Sequence, residues 1–161
     1  MRAADGRAPG MTPLPERITV LVVEPDERSY APVRATLARI ERPRCEIHRV
    51  TSATTARAAL DEHPHDAFIV DCSSGGLELA TEILAHRPHA PVLLIDLGGD
   101  CALEVAAAEA GITEYVTNLD LLERALRYAI THQHALARLA ESEQRHALAI
   151  CLLYTSDAAD E

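Results

Sequence analysis

A lone carboxylate closes the stretch His65-Asp66-Ala67-Phe68-Ile69-Val70-Asp71, which runs from polar residues through four apolar ones to Asp71. Turn-formers follow at once, Cys72-Ser73-Ser74-Gly75-Gly76. An apolar run this short fits a strand buried on both faces of a parallel sheet. Its last residue is then delivered to the carboxyl edge, where open α/β sheets place their ligand chemistry. A carboxylate so placed can serve as an oxygen nucleophile or as a ligand for a hard cation. Two other apolar runs also stop on acids, one at Glu24-Pro25-Asp26 and one at Asp96. Other reactive residue types carry less. His63/His65 and His132/His134 lack a cysteine or carboxylate at ligand spacing, so no metal is expected there. The four cysteines, Cys45, Cys72, Cys101 and Cys151, show no CxxC spacing and are expected as reduced thiols of a cytoplasmic protein.

The elements that must position Asp71 alternate along the chain. Ile18-Thr19-Val20-Leu21-Val22-Val23 reads as a first strand, ended by Pro25, with Asp26 as N-cap of a helix over 29–40. A second strand covers 46–50, and Thr51-Ser52 caps a helix carrying Ala56, Ala59 and Leu60. After the Asp71 strand come a helix over 76–87, a strand over 91–96 and a helix over 101–110 with Asp100 as N-cap. Gly111 stops that helix, a short strand covers 114–117, and a long helical pattern starts near Asp120. Strand and helix alternating at this spacing predict an α/β fold: a doubly wound five-stranded parallel sheet, flavodoxin-like order 2-1-3-4-5, with an extended C-terminal helix.

Bulk properties narrow the function. The chain has 161 residues, 3% aromatics and a net charge of −10, which excludes the basic face a nucleic-acid binder needs. No apolar run reaches the ~18 residues of a membrane span. Residues 1–16, rich in Ala, Arg, Gly and Pro, read as a disordered leader, with Met11 as an alternative start. No Gly-rich phosphate loop follows the first strand, which disfavours a flavodoxin-like cofactor enzyme.

In this order the pieces resemble a response-regulator receiver domain of two-component signalling. They are Val20-Leu21-Val22-Val23 followed by acids, Ile69-Val70-Asp71, Gly76-Leu77-Glu78-Leu79, Pro91-Val92-Leu93-Leu94-Ile95 and Ala110-Gly111-Ile112-Thr113-Glu114-Tyr115. The resemblance implies a receiver-like domain over 17–130 that is a regulatory module and not an enzyme. It implies that Asp71 accepts a phosphoryl group from a histidine kinase, and that Glu24, Asp26 and Asp71 hold Mg²⁺. It also puts switch positions at Asp96, Tyr115 and Asn118. The departures are specific. Of the acidic pair that binds metal, one falls on Glu24 and the other on Pro25, which has no ligand, so Asp26 could serve only if the loop reroutes and Mg²⁺ is doubtful. The switch Ser/Thr falls on Asp96, the Lys on Asn118 and the Pro after it on Leu119, and the loop after Asp71 is about three residues short. A like charge 4 Å away costs about 4 kcal/mol at an effective dielectric of ~20. The expectation is therefore a degenerate receiver, the alternative a competent phosphoacceptor. Gly98-Gly99-Asp100 is not a cyclase signature, because Cys101-Ala102 follows it.

Leu122, Ala125, Ala129, His132, Leu136 and Leu139 repeat at three- and four-residue steps, a coiled-coil-like seam that predicts a homodimer through this helix. Over 131–150 the pattern reads as a signalling helix, and Glu141-Ser142-Glu143-Gln144-Arg145 is similar to the lead-in of a PAS domain. That arrangement resembles the front end of a cyclic-di-GMP enzyme or hybrid histidine kinase. Residues 151–161 resemble a translated sequencing adapter and are expected to be a non-native tail.

Overall fold

The computed structural model describes residues 13–73 and 75–159, with side-chain surroundings as far as Tyr154. Most of the leader expected over 1–16 lies outside the described residues. Its last residues already touch the domain: Leu14 packs on the core, and the Glu16 carbonyl accepts from the Arg44 amide at 2.8 Å.

Five strands, β1 (Arg17–Val23), β2 (Arg44–Val50), β3 (Ala67–Asp71), β4 (Val92–Ile95) and β5 (Glu114–Val116), form one parallel sheet in the order β2-β1-β3-β4-β5. This is the predicted order. Between them run α1 (Glu27–Ala38), α2 (Ala53–Glu62), α3 (Gly76–His86) and α4 (Glu104–Glu109). A 3-10 turn, Leu119–Leu121, leads into α5 (Leu122–Ala159).

Period-two alternation splits the core in two. Val20, Val22, Ile69, Leu93 and Ile95 face α1 and α5, meeting Val33, Leu37, Leu126 and Ile130. Leu21, Phe68, Val70 and Leu94 face the other way, onto Ala56, Ala59, Leu79, Ile83 and Ala107. Both faces of the central strands are thus dry, which is why β3 and β4 read as unbroken apolar runs.

Ser52 caps α2 as expected, in a reciprocal capping box with Thr55. Asp26 caps α1, its Oδ1 accepting from the Arg28 amide at 3.0 Å. Asp100 does not cap the next helix. Ala102 adopts a left-handed conformation (φ 50°), so α4 begins only at Glu104, with Leu103 at the cap position and no side-chain cap. Along α5, Leu122, Leu126, Ala129 and Ile130 are buried on the sheet, whereas beyond Ile130 nearly every described residue is exposed. The helix runs unbroken through 141–150 and on to Ala159. None of the described helices is long and apolar enough to cross a membrane.

Candidate functional site at the carboxyl edge of the sheet

β1 and β3 are neighbours in register, Val23 beside Val70, so their following residues emerge side by side at the carboxyl edge. Glu24 and Asp71 are those residues. Glu24 is only 2% exposed. Its Oε1 accepts from the Asp26 amide at 3.0 Å, and its Oε2 is buried with no hydrogen-bond partner. Burial pushes the Glu24 pKa up; the Asp26 amide opposes this, and the carboxylates of Asp71 and Asp26 add to the rise.

Asp71 is half-buried. Its Oδ2 accepts from the Ser73 amide at 3.1 Å and from the Ser73 hydroxyl. A cleft of about 270 Å³ opens beside it, lined by Pro25, Thr51, Ser52, Ser73 and Gly75 among others. Gly76 is required here: a Cβ at this position would collide with the Asp71 carbonyl, so the first turn of α3 can sit against the end of β3 only without a side chain.

The remaining predicted positions diverge from this pair. Asp26 lies close enough to raise the Glu24 pKa, yet caps α1 and does not close with Glu24 and Asp71 into a three-ligand set among the described residues. Asp96 is 3% exposed and tied off. Its Oδ1 accepts from the Asp100 amide at 3.2 Å, and its Oδ2 accepts from the Cys101 amide at 3.2 Å and the Tyr115 hydroxyl at 2.5 Å. Tyr115 is half-buried, and its hydroxyl in turn accepts from the Leu103 amide at 3.3 Å. Burial, then the bond to Asp96, pushes the Tyr115 pKa up. Asn118 is exposed and caps the 3-10 turn, its amide oxygen accepting from the Asp120 amide at 3.0 Å. Of the four acids, Glu24 and Asp71 thus form a close pair, with Asp26 at its margin and Asp96 held in a network of its own.

Two features were missed in the sequence. Arg49, at the end of β2, reaches this rim: its Nε donates to the Glu24 carbonyl at 3.3 Å, it pairs with Glu27, and its guanidinium stacks over Tyr30 at 4.5 Å. It binds the main chain of Glu24, not its carboxylate. No lysine occurs anywhere in the chain, since all 15 basic residues are arginine. The second feature overturns an expectation. Cys72 and Cys101 are not reduced thiols but form a disulfide, with Cα atoms 6.5 Å apart. The pairing of neighbouring strands β3 and β4 brings together loops 29 residues apart, which no local cysteine spacing could reveal.

At the opposite edge His65 pairs with His48, not with His63: His48 Nδ1 lies 3.1 Å from His65 Nε2. Among the described residues the histidines enter no three-ligand cluster, whereas Cys72, Asp96 and Cys101 do converge.

No family model matches the chain, and no curated protein matches its sequence. Solved structures do. NtrX from Brucella abortus in complex with ADP shares 21% identity over 81% of this chain, with a TM-score of 0.71; the match spans only 30% of NtrX. The signal receiver domain of an HD domain-containing protein from Pseudomonas fluorescens Pf-5 shares 23% identity over 80% of this chain and 98% of its own, with a TM-score of 0.66. A putative response regulator from Chloroflexus aurantiacus J-10-fl shares 21% identity over 71% of this chain and 98% of its own, with a TM-score of 0.63. The fold is that of response-regulator receiver domains.

Proposed function

We propose that the chain is a receiver-like regulatory module of bacterial two-component signalling, impaired in accepting a phosphoryl group and not itself an enzyme. The observation that carries this reading is the pair Glu24–Asp71 at the carboxyl edge of the sheet, in a chain without a lysine. In phosphoryl acceptance an Asp71 oxygen would attack phosphorus as the bond to the kinase histidine breaks, leaving an acyl phosphate. That product carries roughly −1.5 to −2 charges in place of the single charge of the carboxylate, where Glu24 already presents an unpartnered buried oxygen.

The residues present fit a divalent cation in part. Glu24 and Asp71 would hold it, Pro25 contributes nothing, and Asp26 is engaged in its cap. Bound Mg²⁺ would screen the phosphoryl charge. Glu24 would orient it from a buried position, and Ser73 would hold the Asp71 carboxylate by hydroxyl and amide.

A second reading, a competent acceptor, is favoured by one observation: Asp71 opens onto a cleft of about 270 Å³. Incubation with acetyl phosphate and Mg²⁺ separates the two. The impaired reading expects little or no phosphoryl adduct by intact mass; a stoichiometric adduct that vanishes in Asp71→Asn establishes the competent one.

In this reading 17–130 is the receiver-like domain, 131–150 a signalling helix that pairs with a second copy and leads towards a PAS or effector region, and 151–161 a non-native tail. The partner across the carboxyl edge is a histidine kinase or another signalling protein.

A further inference from the structure

We infer that Cys72 and Cys101 form a reversible dithiol–disulfide site that locks the loop after β3 to the loop after β4. The inference rests on the fold and the cysteine geometry and does not require Asp71 to accept a phosphoryl group.

Cys72 directly follows Asp71, and its amide donates to the Ile95 carbonyl at 2.9 Å. The Cys101 amide donates to Asp96 Oδ2 at 3.2 Å. The two sulfurs and a carboxylate oxygen of Asp96 lie within 4.8 Å of one another. The bond therefore joins the segment carrying Asp71 and Ser73 to the segment carrying Asp96 and, through it, Tyr115. Beside the Cys72 amide bond to Ile95 at the base of the loops, the disulfide is a covalent link that limits how far the two can separate.

Access is asymmetric, which makes the bond exchangeable. Cys72 is 7% exposed, whereas Cys101 is half-buried and meets solvent. A small thiolate can reach the Cys101 sulfur, form a mixed disulfide there and expel Cys72 as a thiolate that takes a proton from water. A second thiol then resolves the mixed disulfide. The balance is one protein disulfide plus two small thiols giving two protein thiols plus one small disulfide, and a low-molecular-weight disulfide drives the reverse. Cys45 serves as an internal control: burial, with Glu123 adding, pushes its thiol up to about 11.

The test uses the full chain in glutathione buffers of graded redox poise, quenched with a maleimide and mapped by peptide mass, with amide hydrogen exchange on the same samples. The expected result is that Cys72 and Cys101 lose and regain alkylation together without denaturant. Reduction also speeds exchange severalfold in the two loops and leaves α1 unchanged. Cys101→Ser abolishes the redox dependence at Cys72, and Cys45→Ser preserves it. Alkylation of the two thiols that does not change with poise, a disulfide that opens only on denaturation, or loop exchange indifferent to reduction would each overturn the inference. None of these readouts involves phosphoryl transfer, so its failure is distinct from failure of the receiver reading.

Discussion

Glu24 gives one carboxylate oxygen to the Asp26 amide and leaves the other buried and unpartnered beside Asp71. An ionised pair in that position costs stability, and the cost is relieved by protonation or by a cation.

Glu24→Gln is therefore expected to stabilise the protein at neutral pH. The amide keeps the acceptor for Asp26 and offers a donor to Asp71. The sign follows from the raised pKa of Glu24: the folded state holds its proton more tightly than the unfolded state does. Stability thus falls as pH rises from the ordinary carboxylate value through the raised one, and the variant loses this slope. A gain of about 1 kcal/mol, a few degrees in melting temperature, is expected at pH 7. It should vanish near pH 4. Thermal melts of both proteins across that range check it, and Mg²⁺ should narrow the gap by stabilising only the parent.

The missing charges can be restored. Pro25→Asp adds a carboxylate beside Glu24 on the exposed loop after β1, and Asn118→Lys places an ammonium at the end of β5. Together they should raise labelling by acetyl phosphate at least roughly tenfold, equivalent to about 1.4 kcal/mol. Asn118→Lys alone loses the cap on the Asp120 amide and should cost about 1 kcal/mol in stability. Labelling that stays flat in the double variant would show that the geometry around Asp71, not its charge, limits the reaction.

The sheet and its order were legible because both follow from short, doubly buried apolar runs. Asp71 was legible because β3 ends on it, and Glu24 because β1 ends beside it. What could not be read was direction. Asp96 occupies the expected edge, but its lone pairs are taken by Tyr115 and by two amides of its own loop. Strand periodicity says nothing of such a loop fold. The left-handed Ala102 shortened α4 for the same reason. Cys72 and Cys101 meet only through tertiary pairing of strands. The absence of lysine, by contrast, stood in the composition and needed only to be counted.

His65 supplies a pH dependence of opposite sign at the far edge. Burial first, then His48 and Arg87, hold its pKa below the usual histidine value. The folded state therefore resists protonation more than the unfolded state does. This stabilisation is complete above about pH 6.5 and is lost as pH falls below that value. His48 Nδ1 lies only 3.1 Å from His65 Nε2, within hydrogen-bond distance. Urea midpoints between pH 5 and 7.5 should fall on the acid side in the parent. In His48→Gln, which removes one of the repelling charges, they should fall less.

α5 should answer differently along its two halves, because one helix has two surroundings. Leu126 is fully buried between the helix and the sheet, whereas Leu139 is 61% and Leu148 60% exposed. Leu126→Ala is expected to destabilise the domain by about 2–5 kcal/mol. Leu139→Glu paired with Leu148→Glu should leave the melting of the domain within about 0.5 kcal/mol and abolish self-association in sedimentation. Most described residues beyond Ile130 face solvent, a situation that pairing with another helix relieves. If the parent sediments as a monomer at every concentration, the exposed leucines do not hold a homodimer.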